Sequence, residues 1–364
     1  MSGQLNRQQV LQALGSVNDP ELDRDLVSLG MIKDVVVQDG RVEVSVELTT
    51  PACPMKSRIA ADVERAVRAL PGVTDVQVHL GARVQGPPRP QAVLPQVKHI
   101  IAVGAGKGGV GKSTVAVMLA MSLRRSGARV GLLDADVFGP SIPTMLGVPN
   151  DKPLARDGKI LPVEVAALSV MSMGFLLDPD DAVVWRGPMV HGVVKQFLSN
   201  VDWGELDYLI VDLPPGTGDV PLTLSQSIPM TGAVVVCTGQ QVARLDAGRA
   251  IQMYEKLGVH CLGVVENMTY FVALDTGKEY DLFGKGGAAA LAEQYGVPFL
   301  GSIPLNVGIR RACDAGTPDA MLNDLDLATR DAIEAVAGNL AARVCAATNT
   351  AAGSGAADDR VEAV

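Results

Sequence analysis

Residues 99–113 read His-Ile-Ile-Ala-Val-Gly-Ala-Gly-Lys-Gly-Gly-Val-Gly-Lys-Ser. A short apolar run leads into a glycine-rich loop, and a helix-like stretch opens at Ser113-Thr114. That strand–loop–helix order is the context a phosphate-binding loop requires. Gly106, Gly108, Gly109 and Gly111 let the backbone of Gly106–Ser113, Val110 included, turn N–H groups around phosphate oxygens. The helix behind them, from Thr114 on, presents its positive dipole end to the same anion. Lys112 is placed to reach the β- and γ-phosphates and the Ser113 hydroxyl to ligand Mg²⁺. Lys107 is a second lysine, where most such loops carry one. The stretch predicts binding of a nucleoside triphosphate.

Working outward, strands are expected near 98–103, 129–133, 207–211, 233–237, 262–265 and 298–301, with helices between most of them. The alternation predicts an α/β fold: a doubly wound, mainly parallel phosphate-loop NTPase sheet with its ligand at the carboxyl ends of the strands. Two further segments converge there. Leu132-Leu-Asp134-Ala-Asp136 ends a strand with carboxylates at i and i+2, which point the same way. Asp207-Tyr-Leu-Ile-Val-Asp212-Leu-Pro-Pro-Gly216 ends a second strand in an acid and a sharp turn. An acid there can hold Mg²⁺ directly or through water, and Gly216 can turn its N–H to a γ-phosphate.

Hydrophobic residues make up 48% of the 364-residue chain and aromatics 4%, so the core must be built from Ala, Val, Leu and Ile. A net charge of −9 argues against a general nucleic-acid binder. No signal peptide and no 18-residue apolar span is visible, so no membrane partner and a cytoplasmic location are expected. Gly86-Pro-Pro-Arg-Pro90 with Pro95 marks a linker over 85–96. Before it, residues 1–84 read as a small α+β domain: helix 7–17, strands 32–37 and 41–48 joined at Gln38-Asp-Gly40, helix 56–69 and strand 73–80. After it, the nucleotide domain covers 97–345, its last helix about 320–345. Residues 346–364 read as a disordered low-complexity tail.

The loop with its first lysine, the Asp134-Ala-Asp136 segment and Asp212-Leu-Pro-Pro-Gly-Thr-Gly-Asp together resemble the deviant Walker A ATPases, among them nitrogenase iron protein and the MinD and ParA positioning ATPases. Within that group, Asp134-Ala-Asp-Val-Phe-Gly-Pro-Ser-Ile-Pro143, Glu266-Asn-Met-Thr-Tyr-Phe271 and Gly301-Ser-Ile-Pro-Leu305 are similar to the Mrp/ApbC family of iron–sulfur cluster carriers. The resemblance implies an ATP-hydrolysing homodimer that passes clusters, expected to be 4Fe–4S, between cluster assembly proteins and apo-clients. It implies that Lys107 reaches the phosphates of the opposite protomer, as an arginine finger does. Asp136 would position the attacking water, Asp134 and Asp212 would serve Mg²⁺ and its waters, and Asn267 would read the adenine edge.

Residues 1–84 resemble the small metal–sulfur cluster assembly domain through Asp19-Pro-Glu-Leu-Asp-Arg-Asp-Leu-Val-Ser-Leu-Gly30 and Leu48-Thr-Thr-Pro-Ala-Cys-Pro-Met55. Cys53 lies just before an expected helix start, where unpaired N–H groups favour thiolate, the form that binds iron. The bland alternative for it is a small apolar cap. Family members commonly carry a Cys-x-x-Cys after the Asn-Met-Ser-Tyr-Phe segment, but Ala273 and Thr276 stand at those positions here, and neither is a soft ligand. Cys237 and Cys261 read as small buried hydrophobes, and Cys313 and Cys345 have no partner at metal-ligand spacing. Cys53 is therefore the candidate iron–sulfur ligand. An ATP-switched dimeric adaptor holding no cluster is the competing reading. A partition ATPase would want a basic DNA-binding surface, which the acidic balance disfavours.

Overall fold

The computed structural model describes residues 5–86, 94–136, 139–176, 187–218, 230–273 and 275–358. The chain divides into two compact units, Met1–Gln85 and Gly86–Val364. Most of the expected linker lies outside the described residues.

In the first unit, α1 (Arg7–Leu14) is followed by β1 (Ile32–Gln38), β2 (Arg41–Leu48), α2 (Lys56–Arg68) and β3 (Asp75–Ala82). β2 is central, antiparallel to β1 and parallel to β3. The β1–β2 hairpin turns through Asp39 and Gly40, both at positive φ, which suits a tight turn matched to the strand twist. Val42, Val44, Val46 and Leu48 alternate inward along β2 and meet Ile59, Val63 and Val67, spaced four apart on one face of α2. Asp19 is buried, and its Oδ1 accepts from the Glu21 and Leu22 amides, so this residue of the Asp-Pro-Glu-Leu segment folds a turn.

The second unit is built on a nine-stranded sheet. Its elements are β4 (Val97–Gly104), α3 (Lys112–Arg125), β5 (Val130–Asp134), α4 (Ile142–Met145), β6 (Val163–Val165), β7 (Leu168–Ser172), α5 (Gly187–Asn200), β8 (Leu206–Asp212), β9 (Gly232–Cys237), α6 (Gln241–Lys256), β10 (Cys261–Val272), α7 (Gly287–Tyr295), β11 (Phe299–Leu305), α8 (Val307–Ala315) and α9 (Leu327–Asp358). The order is β6-β7-β5-β8-β4-β9-β10-β11, and a two-residue strand, Glu279–Tyr280, pairs with the far end of β10. Among the described residues, only β6 and Glu279–Tyr280 run antiparallel to their neighbours in this sheet. Every residue of β5, β8 and β9 is buried, the pattern of strands covered by helices on both faces.

From β4 the chain crosses to β5 and β8 on one side, then to β9 and β10 on the other. The loop after β4 therefore opens at the point where the sheet reverses direction, the usual place for a ligand in an open α/β sheet. β6 and β7 were not foreseen from the pattern: β6 has three residues and β7 five, too short for a clear period. The expected disordered stretch from 346 is helical as far as Asp358, because the alanine-rich segment is a strong helix former. Residues 359–364 lie outside the described residues. No helix among the described residues is long and apolar enough to cross a membrane.

Candidate functional site

Gly109 and Gly111 adopt φ of 82° and 80°, and Gly111 caps the start of α3. A side chain at either would force a left-handed backbone that L-residues avoid. Gly106 is needed for a different reason. A β-carbon there would sit 2.1 Å from the Asp246 carbonyl carbon and oxygen and 2.5 Å from the Ala247 nitrogen. The loop therefore lies directly on the backbone of α6. Behind it, the Tyr254 hydroxyl of α6 would be 2.2 Å from a β-carbon at Gly104.

Gly108 departs from the expectation that all four glycines are needed to shape the loop. It does not adopt a positive φ, and a β-carbon built on it would meet nothing within 4 Å. The fold of this chain thus demands glycine at 106, 109 and 111, by close contact or by backbone angle, but makes neither demand at Gly108. A reason for glycine there has to come from what approaches the loop from outside, such as a phosphate against its backbone.

Lys112 begins α3 and is only 6% exposed. Its Nζ lies 2.6 Å from Asp212 Oδ1, 3.7 Å from Asp136 Oδ2 and 3.2 Å from Ser113 Oγ. Asp212 ends β8 and pairs in register with Asp134 at the end of β5, so parallel pairing brings two carboxylates of distant sequence together. Both are fully buried. Burial, with Asp212 beside it, pushes the Asp134 carboxyl up to about 8. Burial also raises Asp212, against the opposing pull of Lys112.

Asp212 Oδ2 is buried and has no hydrogen-bond partner. A spare carboxylate oxygen with the Ser113 hydroxyl close at hand is a hard oxygen donor set of the kind Mg²⁺ takes with its water shell. Asp134 differs. Its Oδ1 accepts from the Asp136 amide at 3.2 Å, and its Oδ2 accepts from the Ser172 hydroxyl at 3.0 Å and the Ile142 amide at 3.3 Å. Both oxygens are engaged by the chain itself. Gly216, at φ 96°, donates its N–H to the Ala105 carbonyl at 2.8 Å, so the amide expected to face phosphate instead ties the Pro-Pro-Gly turn to the loop.

Asn267 is buried, and its Nδ2 donates to the Val110 carbonyl at 2.9 Å. It braces the phosphate loop from the side of β10, and the next residue, Met268, is held at a positive φ of 57°. Beside it lies a cavity of about 290 Å³ lined by Thr114, Asn267, Pro304, Asn306, Arg310 and Cys313 among others. Apart from Thr114 and Asn267, those residues come from the end of β11, the turn after it and α8, none of which carries a nucleotide-binding signal in the sequence. Glu266 was missed too: fully buried, it accepts from the Gly286 and Ala288 amides at 2.9 and 2.6 Å and so caps the start of α7. Its partners lie 20 and 22 residues away, beyond any local signal.

Cys53 stands just ahead of the helix start, as expected, but its side chain is buried. α2 starts at Lys56 with Met55 as N-cap, so Cys53 precedes the helix by a turn. It is 5% exposed and packs in the apolar core of the first unit. Ala273 and Thr276 lie in the tight turn between β10 and Glu279–Tyr280, and both are at least partly exposed. No group of three or more His, Cys, Asp or Glu side chains placed to hold a metal occurs among the described residues. Burial raises the Cys237 thiol to about 12 and the Cys261 thiol to about 11. Both are therefore expected to resist iodoacetamide at pH 8 in the folded protein and to react once it is unfolded, as mass spectrometry of the labelled peptides would record.

A family model described as the NUBPL iron-transfer P-loop NTPase matches residues 96–341, and one described as an iron–sulfur cluster assembly protein matches residues 7–80. The chain is 54% identical over 340 residues to the iron–sulfur cluster carrier protein of Deinococcus radiodurans, covering 93% of this chain and 96% of that one. It is 42% identical to the carrier protein of Escherichia coli K12, covering 86% and 85%. Among solved structures, the nucleotide-binding protein of Archaeoglobus fulgidus in complex with ADP superposes with a TM-score of 0.56 at 41% identity, over 62% of this chain and 88% of that one. The cell-division ATPase MinD of Pyrococcus furiosus, at 22% identity and a TM-score of 0.50 over 66% and 97%, shares the fold. With its phosphate loop, paired strand-end acids and preceding assembly-type unit, the chain belongs to the NUBPL iron-transfer P-loop NTPase family.

Proposed function

We propose that this protein is an ATP-hydrolysing iron–sulfur cluster carrier of the cytoplasm, loaded by cluster assembly proteins and delivering to apo-proteins. The observation that carries the ATPase half is the convergence of Lys112, Asp212 and Asp136 at the loop, with Lys112 Nζ within 3.7 Å of both acids. ATP would draw Lys112 from Asp212 onto its phosphates, replacing one ion pair by another at little net electrostatic cost. Ser113 and Asp212 would hold Mg²⁺, with Asp134 behind them ordering the neighbouring chain. Bound there, the ion would neutralise charge on the β- and γ-oxygens. Asp136, 14% exposed, is the acid open to the solvent side and would orient the attacking water. The adenine would occupy the cavity beside Asn267 and Thr114.

The protein would act as a homodimer. Lys107 is partly exposed and forms no side-chain hydrogen bond or ion pair with the described residues, as suits a group whose partner is a phosphate across an interface. The carrier half is supported by the name of the family and of the relatives, and by the assembly-type first unit. Cys53 is the proposed cluster ligand of that unit. Its burial requires the turn over 50–55 to open before iron can reach the sulfur.

Anaerobic reconstitution with iron and sulfide tests the cargo. The wild-type protein is expected to develop visible absorption and to activate an apo-acceptor, and Cys53→Ser to lose at least half of its bound iron per dimer. Absent absorption with intact ATP turnover would favour the ATP-switched adaptor that holds no cluster. Full iron retention in Cys53→Ser would keep carriage and remove Cys53 as ligand.

A further inference from the structure

Ser172 lies at the end of β7, paired in register with Asp134 on β5, and is fully buried. Its hydroxyl donates to Asp134 Oδ2 at 3.0 Å and accepts the Gly174 amide at 3.0 Å. The remaining capacity of Asp134 is spent on the amides of Asp136 and Ile142, which bracket the segment leading from β5 into α4. The turn that Ser172 caps, Met173–Phe175, packs against the same segment: a β-carbon on Gly174 would lie 3.1 Å from Pro143 and 3.4 Å from Pro140. One carboxylate therefore gathers three pieces of chain, and one hydroxyl fixes the direction in which that carboxylate faces.

The consequence concerns Asp136. Its backbone is held by Asp134 Oδ1, and its carboxylate lies at the mouth of the site, 3.7 Å from Lys112. A rotation of the Asp134 carboxylate would move the Asp136 amide with it. Without the Ser172 hydroxyl, Oδ2 keeps among the described residues only the longer bond from Ile142. An enclosed carboxylate short of a donor rotates or takes up water to recover one. A displacement of about 1 Å at a positioning group costs roughly a hundredfold in rate.

We propose that Ser172 is a positioning residue for ATP hydrolysis, acting through Asp134 to set where Asp136 holds the attacking water. The inference rests on the reading of Asp136 given above. It assigns Asp134 the work of organising this segment and gives the β6–β7 hairpin, which contributes no group to the phosphate loop itself, a part in the reaction.

The test is a series at one position: Ser172→Thr, which keeps a strong donor, Ser172→Cys, a weak one, and Ser172→Ala, which has none. Steady-state kcat and KM for Mg-ATP are measured together with the affinity for a fluorescent ATP analogue and the melting temperature. The expected kcat order is Ser and Thr, then Cys, then Ala, with Ala about tenfold to a hundredfold below wild type. KM and nucleotide affinity should stay within about twofold, because Lys112, Ser113 and the loop are untouched. Unchanged kcat in Ser172→Ala, or a loss that tracks melting temperature and affinity alike, would overturn the proposal. Should Ser172→Ala not fold, the Thr and Cys variants decide: equal kcat in both refutes it. Asp136→Asn separates the proposal from its premise, since wild-type turnover in that variant removes Asp136 as the water-positioning group whatever the Ser172 series gives.

Discussion

Lys107→Ala is expected to reduce ATP turnover by about 10³-fold or more while leaving nucleotide affinity and melting temperature near wild type, the scale set by arginine fingers. The fold loses nothing, because Lys107 has no side-chain hydrogen bond or ion pair among the described residues to give up. The loop geometry is set by Gly109, Gly111 and the contact of Gly106 with α6, none of which involves the Lys107 side chain. Affinity persists because Lys112 and the α3 dipole remain in the same protomer. Mixing experiments sharpen the result. A Lys107→Ala protomer combined with one lacking Asp136 should regain about one working site per dimer if the lysine acts in trans. Phosphate release from the mixed protein measures this, and turnover no higher than either parent would exclude action across the interface.

The second large effect is expected at Gly106. Replacing it with alanine puts a methyl group 2.1 Å from the Asp246 carbonyl, inside any normal contact distance. Neither side can yield cheaply. The loop is tied to β8 through the Gly216–Ala105 bond and to β10 through Asn267 and Val110, while α6 carries buried Ala243, Ala247, Ile251 and Tyr254. Overpacking between fixed backbones costs about 3 kcal/mol. In a unit of this size that lowers the melting temperature by roughly 6–12 °C. Nucleotide binding should fall as well, since the clash is relieved only by moving the loop that cradles the phosphates. Thermal unfolding with and without ATP measures both. An alanine variant with wild-type stability would show that α6 can slide freely against the loop.

Much of this site was legible in the sequence because phosphate chemistry imposes local spacing. Four glycines, two lysines and a hydroxyl fall within Gly106–Ser113, and an apolar run marks the strand before them. The spacing did not say which glycine does what: Gly106 answers to a helix 140 residues further on, whereas Gly108 answers to no neighbour in the fold. The strand-end acids could be read because Asp134 and Asp212 each close a buried β-branched or leucine-rich run. What could not be read was set by pairing between distant segments. Ser172 and Asp134 are 38 residues apart, and Asn267 and Val110 157 apart. The start of α2 at Lys56 could be read, but the burial of Cys53 depended on which way the preceding turn faced the core. Its neighbours are mixed polar and apolar, so no periodicity announced its burial. The alanine-rich segment after Cys345 misled by composition: the same small residues that suggest a linker also favour helix.

The turn carrying Ala273 and Thr276 has a consequence for how such a protein can change over time. It is closed by main-chain bonds, from the Ala273 amide to the Lys278 carbonyl and from the Gly277 amide to the Ala273 carbonyl. The Thr276 hydroxyl adds a longer bond, accepting from the Lys278 amide at 3.4 Å, and the residues at 273 and 276 are both at least partly exposed. Glu266, capping α7 from below, anchors the following segment independently of them. A soft ligand could therefore stand at 273 with no main-chain bond lost, and at 276 for the loss of one long hydrogen bond. Gly106, Gly109, Gly111 and the buried acids of the nucleotide site have no such freedom. The turn can thus change its side-chain chemistry while the nucleotide site stays fixed.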